Sequence, residues 1–347
     1  MMSINEEFKE TKISVIGAGS WGTSLANLLG VKGFKVKLWC YEKEILDSIN
    51  TTRENKVYLP EITLSRNIIP DTSLERVLAG TNLVVLVVPS HVMRETLEKI
   101  KPFLTKEMIF ISASKGIENH TYKTMTQVIE EVLEIEPSNC GVLSGPSFAR
   151  ELGELKPTVV TIASKDPDTA TYVQKVFAST YFRVYTSEDT IGVEVGGAVK
   201  NVIAIASGVA DGMRLGLNAR AALITRGLVE IRRIGLAMGA NPHTFSGLSG
   251  VGDLILTCTG SLSRNHTVGF KLGEGKKLDD ILKEMRMVAE GIKTAKSVYN
   301  LSKKLKIELP ICEEIYNILY NEAKPSRSVE RLMTRRLKNE IDFNFDV

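Results

Sequence analysis

The chain has 347 residues, of which 43% are hydrophobic and 24% are charged, an ordinary composition for a globular protein. Its 44 basic and 41 acidic residues leave a net charge of +3, which argues against a nucleic-acid-binding protein held by bulk charge. Four dispersed cysteines and four dispersed histidines argue against a disulfide framework and a zinc site, so no metal is expected. A chain of this length suits two domains.

The sequence indicates no secretory or membrane segment. The N-terminus is polar and acidic, unlike a signal peptide. The apolar run from Asn82 to Pro89 is far shorter than a helix that spans a bilayer. We therefore expect a cytoplasmic protein without a membrane span.

Strand-like and helix-like segments alternate through the first half of the chain. The strand-like runs cover residues 12–16, 35–40, 83–88, 108–112, 140–143 and 158–163. The helix-like runs cover residues 21–31, 44–49, 93–104 and 122–135. The run 83–88 is almost wholly apolar, as in a parallel strand that is buried on both faces. This alternation predicts an α/β fold with a doubly wound, Rossmann-like sheet.

The pattern changes near Asp189. From there the chain is rich in glycine, alanine and helical apolar periods, for example over residues 298–305 and 312–320, and strand signals largely disappear. We predict a Rossmann-like domain over residues 1–190 and an all-helical domain over residues 191–347. Within the second domain, the glycines and serines of segment 246–269 are expected to form loops between helices.

A glycine-rich turn lies between the first predicted strand and the first predicted helix. Gly17, Gly19 and Gly22 form a G-x-G-x-x-G pattern, which permits a tight turn, the approach of a pyrophosphate and close helix packing. The N–H groups at the helix start would face that pyrophosphate. The alternative is a purely structural turn, but the flanking strand and helix favour a dinucleotide-binding domain.

The residues after the second strand leave the choice of dinucleotide open. Glu42 is placed where a carboxylate binds the adenine ribose of NAD. Lys43 follows it, and a cation would suit the 2′-phosphate of NADP. A solvated carboxylate at a helix start is nearly as good an explanation of Glu42.

Loops of small and polar residues follow three other predicted strands. These loops are VPSH at 88–91, SASKG at 112–116 and SGPSFAR at 144–150. The carboxyl ends of strands in an open α/β sheet share one crevice, in which ligands bind. Most lysines lie on the surface, but the position of Lys115 in the second loop favours a ligand contact.

The helical half carries a lysine inside an apolar stretch. Lys200 lies among Val199, Val202 and Ile203, where an unused charge would be costly and burial would lower the lysine pKa towards neutrality. Such a lysine suits a general acid/base for a carbonyl–alcohol pair. The alternative is a lysine whose stem carries its charge to solvent.

Segment 246–269 contains further polar candidates. Asp253 could orient Lys200 or bind a substrate hydroxyl. Arg264 suits two-point binding of a phosphate, and Asn265 could add amide hydrogen bonds. Each of these residues alone is equally compatible with an ordinary loop.

Taken together, these motifs resemble the bacterial-type glycerol-3-phosphate dehydrogenase family. The resemblance extends from about residue 12 to about residue 335, and is carried by GAGSWG, VPSH, SKG, SGPSFA, GGAVKNVIAI, NARAALITRGL, GVGDLILTCT, SRN and VAEG. It implies reversible reduction of dihydroxyacetone phosphate to sn-glycerol 3-phosphate with NAD(P)H, which supplies phospholipid synthesis. It also implies a homodimer formed through the helical domain.

The resemblance gives individual residues their expected roles. Lys200 would be the proton acceptor. Substrate contacts would come from Lys115, Gly145, Ser147, Asp253, Ser263, Arg264 and Asn265. Cofactor contacts, besides Gly17, Gly19 and Gly22, would come from Ser20, Trp21, Tyr41, Lys115, Ala149, Arg264, Val288 and Glu290. Tyr41 departs from the family, in which this position is often basic or histidine, so the NADP preference stays open.

Two other functions remain compatible with the sequence. Another β-hydroxyacid-type dehydrogenase would have a similar sheet and an equivalent lysine, but would act on carboxylates. A non-catalytic dinucleotide sensor would bind the cofactor without turnover. The combination of Lys200, Asp253, Arg264 and Asn265 favours the dehydrogenase.

Overall fold

A computed structural model describes residues 8, 10–285 and 289–340. Its strands are β1 (Ile13–Ile16), β2 (Val36–Trp39), β3 (Ile68–Asp71), β4 (Leu83–Leu86), β5 (Ile109–Ser112), β6 (Cys140–Ser144), β7 (Thr158–Ala163) and β8 (Phe182–Ser187). They form one sheet in the order β3-β2-β1-β4-β5-β6-β7-β8. Neighbouring strands are parallel except for the pair β6 and β7. The predicted doubly wound, Rossmann-like sheet is confirmed.

The sequence pattern misses β3 and β8, which are the two edge strands. In β3, Ile69 is exposed and Pro70 interrupts the apolar run. In β8, buried and exposed residues alternate from Phe182 to Tyr185. Strands buried on both faces give a continuous apolar signal, whereas edge strands give a weaker one and tolerate proline.

The helices of the sheet half are α1 (Ser20–Val31), α2 (Lys43–Thr52), α3 (Leu74–Leu78), α4 (Met93–Ile100), α5 (Met125–Leu133), α6 (Ala149–Gly153) and α7 (Pro167–Phe177). The helix expected over residues 93–104 ends at Ile100, because Pro102 lies in a 3-10 turn that follows it. The helix expected over residues 122–135 begins at Met125, where Thr124 and Gln127 form a capping box.

Successive residues of the central strands enter apolar cores on opposite faces of the sheet. Val15 and Val85 pack in one core with Leu25 of α1. Ile16 and Leu86 pack in the other core. Helices on both faces thereby fix the strands, and the loops after β1, β4, β5 and β6 follow one another along a single edge of the sheet.

The second half of the described chain is helical. Its helices are α8 (Thr190–Gly212), α9 (Leu217–Ala237), α10 (Asp253–Thr259), α11 (Arg264–Gly273), α12 (Leu278–Glu284), α13 (Glu290–Leu305), α14 (Pro310–Tyr320) and α15 (Pro325–Met333). A Cβ added to Gly208 of α8 would lie 2.1 Å from the His266 carbonyl oxygen, and one added to Gly269 would lie 2.0 Å from the Ile205 carbonyl oxygen. Glycine therefore lets α8 and α11 approach backbone to backbone.

The expectation of loops across residues 246–269 is wrong for much of that segment. Helix α10 begins at Asp253 and α11 begins at Arg264. Leu254 and Cys258 are buried one helical turn apart, and such packing outweighs the modest helix propensity of the sequence around them.

Helix α8 is the one described helix that is long and apolar enough to cross a membrane. Its apolar window is 100% buried inside the structure. A core helix that is apolar on all sides satisfies the same criterion, and α8 occupies the centre of the helical half.

A buried carboxylate joins α8 to the sheet half. Glu194 accepts hydrogen bonds from Thr126 N at 2.8 Å and from Thr126 Oγ1 at 2.5 Å. Thr126 lies in the first turn of α5, so the carboxylate meets the positive end of that helix. Burial raises the pKa of Glu194 to about 7, although these hydrogen bonds act in the opposite direction.

The raised pKa of Glu194 makes its contribution to stability depend on pH. In the unfolded state Glu194 has the ordinary pKa of 4.5, whereas in the folded state its pKa is about 7. The folded state therefore keeps its proton to a higher pH, and the free energy of unfolding should fall as the pH rises from 4.5 to about 7. The linked loss is at most about 3 kcal/mol.

Thermal unfolding of Glu194→Gln, which keeps an acceptor for Thr126 N, tests this expectation. Between about pH 5 and about pH 8, the Tm of the variant should fall less than that of the wild type. An identical pH dependence of the two Tm values would show that Glu194 is not the titrating group.

Candidate active site

The glycine-rich turn has the geometry of a dinucleotide site. Gly17 has a φ of +116°, and a Cβ there would lie 2.9 Å from the Val87 carbonyl oxygen. A Cβ on Gly22 would lie 1.9 Å from the Gly17 carbonyl oxygen, so both positions need glycine. A Cβ on Gly19 would meet no atom within 4 Å apart from its chain neighbours. The open space at the start of α1 therefore fits a pyrophosphate.

Other predicted cofactor residues lie around this turn. Ser20 and Trp21 open α1, and both are partly buried. Ala149 opens α6, and its carbonyl oxygen accepts a hydrogen bond from Ser24 Oγ of α1 at 2.6 Å. The loop after β6 is thereby attached to the helix that follows the glycine-rich turn.

Tyr41 lies beyond the end of β2. Its side chain is 74% exposed, and its ring stands edge-on to that of Trp39 at a centroid distance of 5.9 Å. Because β2 is the neighbour of β1, Tyr41 is on the same edge of the sheet as the glycine-rich turn.

Two lysines meet one carboxylate where the two halves of the chain join. Lys200 Nζ donates to Asp253 Oδ1, and also to Thr257 Oγ1 at 2.7 Å. Lys115 Nζ donates to Asp253 Oδ2 at 2.7 Å and to the Gly145 carbonyl oxygen at 3.3 Å. Asp253 is 0% exposed and Lys200 is 5% exposed. Lys200 is thus brought together with three of the predicted substrate residues.

The environment of Lys200 favours its neutral form more than water does. Burial lowers the pKa of Lys200 to about 7, helped by the charge of Lys115 and opposed by the carboxylate of Asp253. Lys200 can therefore gain or lose a proton near neutral pH, as acid/base catalysis requires. Within the described residues, no group of three or more His, Cys, Asp or Glu side chains is placed to hold a metal ion.

The loop after β6 forms the wall next to Lys115. Gly145 has a φ of +143°, and a Cβ there would lie 2.9 Å from Val160 Cα. Ser147 Oγ donates to the Gly145 carbonyl oxygen at 3.0 Å. That oxygen also accepts from Lys115, so the loop and the lysine are fixed together.

The remaining predicted substrate residues are at the start of α11. Ser263 caps this helix, because its Oγ accepts from His266 N at 3.2 Å. Asn265 Nδ2 donates to Asn201 Oδ1 at 2.9 Å, and Asn265 Oδ1 accepts from Gly291 N at 2.9 Å. Since Asn201 follows Lys200 on α8, Asn265 is held close to the lysine cluster.

Arg264 is exposed to solvent, although protein atoms surround its guanidinium group. Burial lowers the pKa of its guanidinium, and the carboxylate of Glu290 opposes this shift. Glu290 begins α13, and its Oε2 accepts from Ser90 Oγ at 2.7 Å. The loop after β4 therefore meets the start of α13 near Arg264. Val288, another predicted cofactor residue, lies outside the described residues.

Three residues in this arrangement, Thr257, Asn201 and Ser90, are not singled out individually by the sequence. Thr257 lies one turn after Asp253, and its position on the same helix face could have identified it once this segment was assigned as helix. The partner of Asn201 is 64 residues away in the chain, and that of Ser90 is 200 residues away. No local pattern reveals such pairs.

The glycine-rich turn predicts different effects for two alanine substitutions. In Gly22→Ala, the methyl group would lie 1.9 Å from a backbone oxygen, so the Tm and the affinity for NADH should both fall. In Gly19→Ala, the methyl meets no protein atom within 4 Å beyond its chain neighbours. The Tm should then be unchanged, while NADH affinity falls by about tenfold, because the methyl takes space from the pyrophosphate.

Thermal unfolding and titration with NADH measure the two effects separately. Unchanged NADH affinity in Gly19→Ala would place the pyrophosphate elsewhere.

The comparisons with known proteins agree with this geometry. The family model for the N-terminal part of NAD-dependent glycerol-3-phosphate dehydrogenase matches residues 12–170. The model for the C-terminal part of the same family matches residues 189–330. A glycerol-3-phosphate dehydrogenase (NAD(P)+) of Geobacter sulfurreducens is 54% identical over 330 residues, which cover 95% of this chain and 98% of that protein. The enzyme of that name from Syntrophobacter fumaroxidans is 52% identical over 334 residues, with coverages of 95% and 97%.

A solved structure gives the same result for the fold. The crystal structure of glycerol-3-phosphate dehydrogenase from Coxiella burnetii superimposes with a TM-score of 0.91 at 37% identity, covering 94% of this chain and 99% of that one. The resemblance carried by the sequence motifs is confirmed. The chain belongs to the NAD-dependent glycerol-3-phosphate dehydrogenase family.

Proposed function

We propose that this chain catalyses the reversible reduction of dihydroxyacetone phosphate to sn-glycerol 3-phosphate with NAD(P)H. Membership of the family supports this proposal, and so does one observation of the structure. A buried lysine with a pKa of about 7 shares the carboxylate of Asp253 with Lys115, close to the start of α11. A proton donor for a ketone oxygen then lies near an arginine suited to a phosphate.

Lys200 Nζ is the proton donor in the proposed reduction. In its protonated form it gives a proton to the C2 oxygen, and in the reverse direction the neutral amine accepts that proton. The hydride to C2 would come from the nicotinamide of a bound NAD(P)H. Asp253 holds both lysines in position, and Lys115 presents a second positive charge to the oxygen as negative charge develops there.

Arg264 and Asn265 hold the substrate phosphate in this proposal. A planar guanidinium binds two phosphate oxygens at once, and the positive end of α11 favours an anion at the same place. Gly145, Ser147 and Ser263 complete the substrate contacts. Binding at both ends fixes C2 relative to Lys200, which lowers the entropic part of the barrier.

The cofactor would lie along the crevice between the glycine-rich turn and the lysine cluster. The residues proposed to hold it are Gly17, Gly19, Ser20, Trp21, Gly22, Tyr41, Lys115, Ala149, Arg264, Val288 and Glu290. The open space at Gly19 and the attachment of Ala149 to α1 support this arrangement.

We also infer that the domains divide at about residue 190, into a dinucleotide-binding domain (residues 1–190) and a helical substrate-binding and catalytic domain (residues 191–347). The start of α8 at Thr190 and the separate family matches on either side support this division.

A homodimer through the helical domain and a cytoplasmic location are further proposals. Leu215 and Leu217 are exposed, and a dimer would bury such apolar surface.

A substrate panel tests the proposed reaction against its rivals. The protein should oxidise NADH or NADPH in the presence of dihydroxyacetone phosphate, and should leave 3-hydroxy acids unoxidised with NAD(P)+. Turnover of a 3-hydroxy acid with none of glycerol 3-phosphate would indicate the β-hydroxyacid class. Cofactor binding without any turnover would indicate a sensor.

The role of Lys200 predicts a large loss of turnover in Lys200→Ala. The kcat should fall by about 10²-fold or more, the usual scale for a lost acid/base group, while NADH binding stays intact. The wild-type reduction rate should also fall as the pH rises above about 7, because Lys200 loses its proton. The variant should lack this limb of the pH profile.

Lys296→Ala is the matched control, because Lys296 is an exposed lysine of α13. It should leave the kcat and its pH dependence unchanged. A near-normal kcat in Lys200→Ala would remove Lys200 from the proposed role.

A further inference from the structure

We propose that Ser90 is a positioning residue for substrate binding, which holds the carboxylate of Glu290 so that the Arg264 guanidinium stays available to the substrate phosphate. The proposal rests on the function proposed above and adds to it a residue that does not touch the substrate. It depends on the hydrogen bond between Ser90 and Glu290, on how closely Glu290 and Arg264 are placed, and on the competition of two anions for one cation.

Ser90 has a fixed place on the sheet side of the junction. It begins a short 3-10 turn (Ser90–Val92) after β4 and is only 5% exposed. Pro89, which precedes it, restricts the backbone, and the Val88 carbonyl oxygen accepts from Ser114 Oγ at 2.6 Å. The loop after β5 therefore holds the loop after β4 just before the Ser90 hydroxyl.

The hydrogen bond from Ser90 crosses from the sheet half of the chain to the helical half. Ser90 Oγ donates to Glu290 Oε2 at 2.7 Å, and Glu290 is the first residue of α13. A Cβ added to Gly116 would lie 2.3 Å from Ser90 Oγ and 3.8 Å from Glu290 Oε2. Because residue 116 is glycine, the loop that carries Lys115 packs directly against this pair.

The start of α13 is tied to the start of α11, which places Glu290 beside Arg264. Asn265, which follows Arg264, accepts through Oδ1 from Gly291 N at 2.9 Å, and Gly291 follows Glu290. Burial lowers the pKa of Arg264, and the carboxylate of Glu290 opposes this shift. The two opposite charges therefore lie within electrostatic reach of each other.

A carboxylate and a phosphate compete for the same guanidinium. Both can bind an arginine through two parallel hydrogen bonds, so a Glu290 carboxylate turned fully towards Arg264 would occupy donors that the phosphate needs. The hydrogen bond from Ser90 takes up Oε2 and holds the carboxylate towards the loop after β4. Ser90 therefore acts on substrate affinity through Glu290, without a contact to the lysine cluster around Asp253.

The experiment measures the KM for dihydroxyacetone phosphate at saturating NADH, and the affinity of the NADH-saturated, full-length protein for inorganic phosphate by calorimetry. Ser90→Ala releases the carboxylate, so this KM and the dissociation constant of phosphate should each rise by about tenfold. The kcat should change by less than about twofold, because the lost interaction acts on binding and the lysine cluster keeps its contacts.

A double-mutant cycle shows whether Ser90 acts through the charge of Glu290. Glu290→Gln keeps a side-chain oxygen that can accept from Ser90, but removes the charge that competes for Arg264. In this background, Ser90→Ala should change the KM for dihydroxyacetone phosphate by less than about twofold. A purely structural role of Ser90 would give the same loss in both backgrounds.

Thr96→Val is the matched control for the loss of a buried hydroxyl. Thr96 is 6% exposed, and its Oγ1 donates to the Val92 carbonyl oxygen at 2.8 Å, in the same segment as Ser90. This substitution should lower the Tm, but leave the KM for dihydroxyacetone phosphate and the phosphate affinity unchanged.

Two results would each overturn the proposal. One is an unchanged KM and phosphate affinity in Ser90→Ala, including a loss that is confined to kcat, and the other is an equal loss in the Glu290→Gln background. If the wild type does not reduce dihydroxyacetone phosphate, the proposed reaction fails, but the phosphate titrations of the same variants still decide the role of Ser90.

Discussion

The carboxylate of Asp253 accepts hydrogen bonds from two lysines that come from different halves of the chain. Lys115 follows β5 of the sheet, and Lys200 lies in the middle of α8. A buried carboxylate without partners is costly, and a buried lysine that loses its counter-charge is costly as well. Each of these groups therefore makes the burial of the others tolerable, and the junction of the two halves depends on all three.

Close contact between backbones gives Asp253 its position. A Cβ on Gly196 of α8 would lie 2.3 Å from the Ser249 carbonyl oxygen, just before α10. A Cβ on Gly291 would lie 2.6 Å from the Asn201 carbonyl oxygen. Because these positions are glycine, the segments that carry the polar side chains reach α8 directly. Small residues that look like loop formers in the sequence are in fact contact points between helices.

This difference explains which parts of the structure the sequence could predict. The glycine-rich turn, Lys115 and Lys200 stand out because residue type and place in the strand and helix pattern are local properties. The edge strands β3 and β8 do not, since half of each strand faces away from the core. The start of α10 at Asp253 is hidden by its glycine-rich surroundings, and the pairing of Ser90 with Glu290 depends on how distant segments dock.

The near-neutral composition conceals a cluster of charged side chains where the two halves of the chain join. Lys115, Lys200 and Arg264 lie there with two carboxylates, because Asp253 accepts from both lysines and Glu290 opposes the pKa shift of Arg264. When Lys200 is protonated, three cations therefore face two carboxylates, and the excess of positive charge favours a phosphorylated substrate. A dinucleotide whose pyrophosphate meets the glycine-rich turn would bring its nicotinamide to the same cluster, where Lys200 can exchange a proton. The charges around Lys200 would thus also place the substrate before any chemistry takes place.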